Sequence, residues 1–391
     1  MRVVLVALAL ALALLAPAAP GAAGTPEPSR ATAGAATSAP GHPRALPALR
    51  VHQQVKGLSI AWDVQPIGHR RLLITERDTA HLILWNGSKH RVRFPSNRIW
   101  VSGETGLMSM AIDPRFGRNH RFYTCSGWVK KGGGHDVRVN AWRLTHHGKR
   151  ARYVETLVAG FPTTSGRHGG CRLLITSNGS MLVGTGDAAD EDNPRNLKSL
   201  GGKTLRLDRM TGRPWPTNPF IDAKNHRKRY VQTYGHRNVQ GLSERRDGSL
   251  WSIEQGTYRD DEVNRLRNGG DYGWQPGPGY DESPPMTDFS LPGRQIGARW
   301  SSGDPTLATS GGSWVYGKQW GRYNGTLAVA ALKASRIVFM KFDSSGKLKW
   351  TKAPARLRDF GRLRSVTQAA NGDLLVTTDN GDDAVLRVSP R

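Results

Sequence analysis

Residues 167–187 read RHGGCRLLITSNGSMLVGTGD. Two apolar runs, Leu173-Leu174-Ile175 and Met181-Leu182-Val183, flank Ser177-Asn178-Gly179-Ser180. Asn-Gly between apolar runs is a strong short-range hairpin signal, because both residues tolerate positive φ. The turn falls near the midpoint, so the hairpin returns Asp187 to the end at which His168 begins. A base and a carboxylate are then held at one mouth of a rigid sheet.

The same pattern of apolar run, turn, apolar run and polar residue recurs along the chain. It appears as GLSIAWDVQPIGHRRLLITERD from Gly57 and as GLMSMAIDPRFGRNHRFYTCSGW from Gly106. RLLITSNGSMLVGTGD follows from Arg172, GLSERRDGSLWSIEQG from Gly241, GGSWVYGKQWGRYNGTLAVAALK from Gly311 and SVTQAANGDLLVTTDN from Ser365. The copies lie about 50–70 residues apart, the period of a propeller blade with loop insertions. Each is too small to bury its own hydrophobic face, so the copies stack around an axis. The expectation is an all-β fold, a six-bladed β-propeller over residues 50–391. Glu76, Asp187, Gln255, Lys333 and Asp379 end the second runs and should converge on a polar pocket at one end of that axis.

Ahead of the propeller, Arg2 precedes an unbroken apolar run from Val3 to Leu15, then small residues and prolines through Gly24. That run is too short for a membrane span and suits a signal-peptide core, with cleavage between Ala18 and Gly24. Residues 1–24 are therefore read as an export signal and 25–49 as a disordered Ala/Pro-rich spacer. The first cysteine is Cys125, so the reading is an exported, extracytoplasmic protein and not a lipoprotein. The net charge of +25, from 56 basic and 31 acidic residues, is spread along the chain. Without a basic arm or recognition helix it argues against nucleic acid and leaves two readings, electrostatic association with an anionic cell envelope and simple solubility. Cys125 and Cys171 form an even pair in an oxidising compartment, which favours a disulfide.

YGHRNVQGL from Tyr234 and IEQGTYRDDEVNRLRNGGDYGWQ from Ile253 add a further signal. With GETGLMSMAIDPRF, RHGG…GTGD, LGGKTLRLD, ALKASRI and GRLRSV, all in order, the chain resembles the soluble quinoprotein sugar dehydrogenases, the glucose/sorbosone dehydrogenase family. The resemblance runs from about Gly57 to the C-terminus and implies pyrroloquinoline quinone (PQQ) and Ca²⁺ as cofactors. It implies oxidation of an aldose at C1 to a lactone with transfer to an external electron acceptor; separately, a monomer is expected. His168 matches the general base, a role suited to a neutral imidazole, and Asp187 matches the carboxylate that orients it. Arg237 and Asn238 match residues at the reactive carbonyl of the quinone, where a fixed cation stabilises developing charge. Arg362 and Arg364, two apart and so on one side of a strand, match a carboxylate clamp. Lys333 matches a further carboxylate contact, and Glu104 and Gln255 line the same site. The Gly256 and Thr257 carbonyls match the ligands of the cofactor's calcium. Asp261, Glu262 and Tyr272 resemble a second, structural calcium site, with Glu262 giving its side chain and Tyr272 its backbone oxygen.

The chain departs from the family pattern at Val239, where proline is common, at Thr257, and at Arg167, where glucose-oxidising relatives carry an acid. The Pro- and Gly-rich segment 276–304 is expected to cover the pocket mouth. Two other functions compete: an envelope- or carbohydrate-binding propeller without catalysis, and a calcium-dependent propeller lactonase. The lactonase needs carboxylates and amides around an axial calcium, whereas this pocket is rich in cations.

Overall fold

The computed structural model describes residues 45–391; residues 1–24, expected as an export signal, and all but the last residues of the expected spacer lie outside them. Six four-stranded antiparallel sheets follow one another along the chain. Their innermost strands are Ala61–Pro66, Leu107–Ile112, Gly170–Ile175, Val239–Glu244, Thr309–Val315 and Leu363–Gln368. Each contacts the next and the last contacts the first, which closes a ring of six blades. Each of the six recurring stretches forms the inner two strands of one blade.

The hydrophobic clusters lie between neighbouring blades. Leu182, Val239, Leu242 and Tyr272 pack between blades three and four, and Trp251, Ile253, Trp314, Leu327 and Phe342 between blades four and five. A blade alone would leave both of these faces wet, so burial enforces closure. Closure is completed by the strand Leu49–Leu58, which pairs antiparallel with Asp383–Pro390 as the outer strand of the last blade. Leu49, read above as the last residue of the spacer, is the buried first residue of that strand.

The hairpin of blade three has Leu173 opposite Val183, Leu174 opposite Leu182 and Ile175 opposite Met181. Its turn differs from the expectation. Only Gly179 takes positive φ, at 87°, and Asn178 does not. Thr176 N–H donates to Ser180 O at 2.9 Å and Gly179 N–H to Thr176 O at 2.8 Å, so three residues form the loop, as in a turn ending in a left-handed glycine. The Asn178 side chain instead accepts the Ser180 N–H at 3.1 Å.

Cys125, on the second strand of blade two, is disulfide-bonded to Cys171 on the inner strand of blade three, with Cα atoms 5.6 Å apart. Arg172 crosses the axis as a buried plug, 4.1 Å above the Trp62 ring and paired with Asp63 at 3.1 Å. Among the described residues no helix is long and apolar enough to cross a membrane.

Candidate active site

The hairpin delivers its two ends to one place. His168 Nδ1 lies 2.8 Å from Asp187 Oδ1, and both side chains are buried. Two glycines make the approach possible: a Cβ on Gly186 would overlap the His168 carbonyl, and one on Gly170 would overlap the Thr185–Gly186 backbone. His168 itself has φ 51°, a left-handed conformation rare outside glycine, though histidine is among the residues enriched there. It is held from three sides. Its N–H donates to Glu104 Oε2 at 3.2 Å, its carbonyl packs on Gly186, and its ring is tied to Asp187.

Asp187 is saturated with donors. Oδ1 accepts the Ala189 N–H at 2.9 Å, and Oδ2 accepts the Trp274 indole N–H at 2.8 Å and the Tyr280 hydroxyl at 2.7 Å. A carboxylate facing Nδ1 requires the proton to sit on that nitrogen. Nε2 is then left with a lone pair, and it has no partner among the described residues.

The GHRN segment runs beside this pair. Asp187 N–H donates to Arg237 O at 2.8 Å, and Gly186 bridges Asn238. Asn238 donates to Glu104 Oε2 at 3.1 Å and accepts the Gly170 N–H at 3.1 Å. Gln255 stands 3.5 Å from the Asn238 amide, and its carbonyl accepts from Arg237 at 3.2 Å. His168, Asp187, Glu104, Arg237, Asn238 and Gln255 therefore form one network. Gln240 joins it to blade six, donating to Asn238 at 3.0 Å and accepting from Arg364 at 3.3 Å.

The basic residues of blades five and six divide by burial. Arg364 is buried and donates through Nε to Asp379 Oδ2 at 2.6 Å. Burial pushes the Asp379 carboxyl up, but Arg364 beside it, helped by Arg77 and Arg362, outweighs this and holds it below the usual range. Arg362 lies one residue ahead of the strand, exposed, with Nε 4.0 Å from Asp379. Lys333 is exposed, with no ion pair among the described residues. Glu76, expected in the pocket ring, is absorbed by its own blade, accepting from Ser59 N–H at 3.0 Å and Thr79 at 2.8 Å.

The candidate metal ligands are only partly free. The carboxylate of Asp261 is spent on the backbone, accepting the N–H groups of Gly256, Leu307 and Thr309 at 3.0, 2.7 and 3.1 Å. Glu262 is buried against Glu254, and the Asn264 amide donates to both, at 3.1 and 2.8 Å. Burial first, and Glu254 second, push Glu262 up to about 8. Among the described residues no three acidic, histidine or cysteine side chains converge as a metal cage.

Three residues of the site have no role that the sequence assigns, although Trp274 lies in the motif DYGWQ and Tyr280 and Glu282 in the segment 276–304 expected to cover the pocket mouth. Trp274, Tyr280 and Glu282 come from the irregular stretch of blade four between Glu262–Arg265 and Trp300–Ser301. Glu282 takes Arg167 at 2.6 Å and Arg237 Nε at 3.1 Å. Burial raises its carboxyl, but Arg237 and then Arg167 outweigh this and keep it ionised. A separate groove of about 420 Å³, lined by Arg93, Phe94, Trp142, Arg150 and Tyr153, lies on the rim of blades one and two and shares no residue with this site.

Comparison with known proteins agrees with this architecture. The family model described as Glucose / Sorbosone dehydrogenase matches residues 58–387. The chain is similar to the aldose sugar dehydrogenase YliI of Escherichia coli (strain K12), 27% identical over 302 residues that cover 75% of this chain and 79% of that protein. It is similar in structure to an aldose sugar dehydrogenase from Streptomyces coelicolor, solved in its PQQ-bound form. The TM-score is 0.75 and the identity 25%, over 90% of this chain and 100% of that one. Quinoprotein glucose dehydrogenase B of Acinetobacter calcoaceticus is 27% identical over 241 residues, 54% of this chain and 49% of that protein.

Proposed function

The chain belongs to the glucose/sorbosone dehydrogenase family, and from that premise we propose that it is a PQQ- and calcium-dependent dehydrogenase oxidising aldoses at C1 to lactones. The observation that carries this reading is the His168–Asp187 pair, with the proton on Nδ1 and Nε2 left as an unpartnered base. Nε2 takes the proton of the C1 hydroxyl, and Asp187 stabilises the imidazolium that results.

The residues present fit a tricarboxylate quinone. Arg362 and Arg364 both face Asp379, and Lys333 follows the second strand of blade five as Asp187 and Asp379 follow the second strands of theirs. Lys333 and Arg362 would hold the carboxylates as exposed cations, Arg362 with only a 4.0 Å approach to Asp379, and Arg364 would act with its charge already shared with Asp379. Glu104, Asn238 and Gln255 would supply the polar wall. Bound PQQ supplies a two-electron acceptor for the hydride that leaves C1. Arg237 supports this with a fixed positive charge, oriented by Glu282 and the Gln255 carbonyl.

For calcium, the Gly256 and Thr257 carbonyls are suitable oxygen donors. Glu262 with the Tyr272 carbonyl would serve a second ion. Asp261 does not fit as a ligand, because its oxygens already accept three backbone N–H groups. The proposal includes export directed by residues 1–24, a monomeric state, association with an anionic envelope and an external electron acceptor.

The test is to add PQQ and Ca²⁺ to the purified protein and follow dye-linked turnover over a panel of aldoses. The expected result is no activity without PQQ and activity with it. PQQ binding without turnover of any aldose would favour a binding propeller, and failure to bind PQQ would overturn the cofactor and the enzyme together.

A further inference from the structure

The base–carboxylate pair has a third member. Tyr280 lies 93 residues beyond Asp187 in sequence, yet its hydroxyl is 2.7 Å from Asp187 Oδ2 and 2.8 Å from His168 Nδ1. We propose that Tyr280 is a positioning residue for the proton-transfer step: its hydroxyl closes a hydrogen-bonded ring with His168 Nδ1 and Asp187 that fixes the tautomer and the basicity of the imidazole. The inference rests on the reading of His168 as the base.

The direction of each hydrogen bond follows from the acceptors available. If the tyrosine hydroxyl donated to Nδ1, that nitrogen would have to present a lone pair. The same lone pair would then face Asp187 Oδ1 at 2.8 Å, lone pair against carboxylate. The arrangement without repulsion has the hydroxyl donating to Asp187 Oδ2 and its oxygen sharing the Nδ1–H with Oδ1. In that arrangement Nδ1 must keep its proton and Nε2 must remain the base. The phenol stays a donor over the working pH range, because burial, and after it the Asp187 charge, raise its pKa.

The hydroxyl also draws on the charge of Asp187. Four donors share that carboxylate: Ala189 N–H, Trp274, His168 and Tyr280. Each one that is fixed leaves less negative charge to stabilise the imidazolium, and loss of the Tyr280 hydroxyl would free part of it. The other charged groups around the pair come from several elements. Glu104 takes the His168 N–H and Arg167 precedes it, while Lys203 lies beneath Asp187 and Arg237 and Glu282 flank Tyr280. None of them touches the shared edge of the two rings.

The loop is built to keep the hydroxyl in place. Tyr280 adopts φ 61°, inside a tight turn in which Gly277 and Asp281 exchange backbone hydrogen bonds at 2.8 and 3.1 Å. Its N–H donates to Glu191 Oε2 at 2.7 Å, and the Arg167 guanidinium sits 5.4 Å over its ring. Two residues on, Glu282 grips Arg167 and Arg237. One loop therefore orients both the base and the cation of the proposed reaction centre.

The test is Tyr280→Phe in the full chain, which keeps the ring and removes the hydroxyl. With PQQ and Ca²⁺, kcat should fall roughly tenfold and its acid limb should move up by about one pH unit, as expected when one hydrogen bond to the carboxylate is lost. PQQ affinity should stay as in the parent. Independently of turnover, ¹⁵N NMR of the imidazoles in the cofactor-free protein should report the Nδ1–H tautomer for His168, its signal identified by its loss in His168→Gln. Tyr280→Phe should raise the pH at which that signal titrates. A fluorotyrosine at position 280, a stronger donor, should lower it. Unchanged imidazole titration in both variants would overturn the role of Tyr280, even if the protein proved to bind no PQQ. A normal NMR response without aldose turnover would instead overturn the dehydrogenase reading and leave the ring intact.

Discussion

Arg364 and Asp379 form a buried ion pair across the inner hairpin of the sixth blade, with Nε 2.6 Å from Oδ2 and each side chain 8% exposed. Removing one partner of such a pair strands the other charge in a poorly solvated place. Arg364→Ala should therefore cost about 3–5 kcal/mol of stability before any cofactor is considered. Lys333→Ala and Arg362→Ala, at exposed positions, should leave thermal stability nearly unchanged and weaken PQQ binding. Thermal melts of the cofactor-free variants, followed by PQQ titrations, separate the two effects. An Arg364→Ala protein melting with the parent would refute the structural half of this account.

The same pair sets a pH dependence. Asp379 is held below the usual carboxylate range, so it binds its proton more weakly folded than unfolded. Its contribution is complete above the unfolded pKa of about 4 and is lost as pH falls through the lower folded value. Urea unfolding of the parent and Asp379→Asn between about pH 2 and 6 should show a stability difference that shrinks toward the acid end. A difference constant across that range would mean that the charge on Asp379 does not matter.

His168→Gln separates chemistry from cofactor binding. Glutamine has no basic nitrogen, so kcat should fall by about 10²–10⁴. Affinity for PQQ should change little, since the proposed carboxylate contacts lie in blades five and six. The measurement is turnover at saturating PQQ. A variant that turns over normally would remove His168 from the base role.

Neither Cys125 nor Cys171 has solvent-exposed surface, and they are 46 residues apart in sequence. The bridge ties the second strand of blade two to the inner strand of blade three, three residues after His168. Cys125→Ser with Cys171→Ser should lower unfolding free energy by about 2–4 kcal/mol. Non-reducing peptide mapping should recover the linked pair. Two thiols that alkylate freely in the native oxidised protein would contradict it.

Much of this molecule can be read one hairpin at a time. All six recurring stretches become the inner strand pairs of blades, because alternating apolar residues and turn glycines are local properties that hold wherever the hairpin lies. The His168–Asp187 approach belongs to the same class, since its two ends are joined by a single hairpin. Gly170 and Gly186 are written into it because no side chain fits where the strand ends close on each other.

What the sequence could not disclose depends on distant packing. Arg362 and Arg364 carry the same charge two residues apart, yet one is exposed and the other buried on Asp379. Asp261 reads as a ligand until three backbone N–H groups close on it. The strand Leu49–Leu58 reads as little more than an end until Asp383–Pro390 arrives beside it. Trp274, Tyr280 and Glu282 sit in a stretch without periodicity, and their partners lie 87, 93 and 45 residues away in sequence. Local pattern determined the six blades and the orientation of one hairpin's ends. Which side chains surround those ends was decided only by the closing of the ring, because burial and the direction of a hydrogen bond depend on neighbours that sequence distance does not specify.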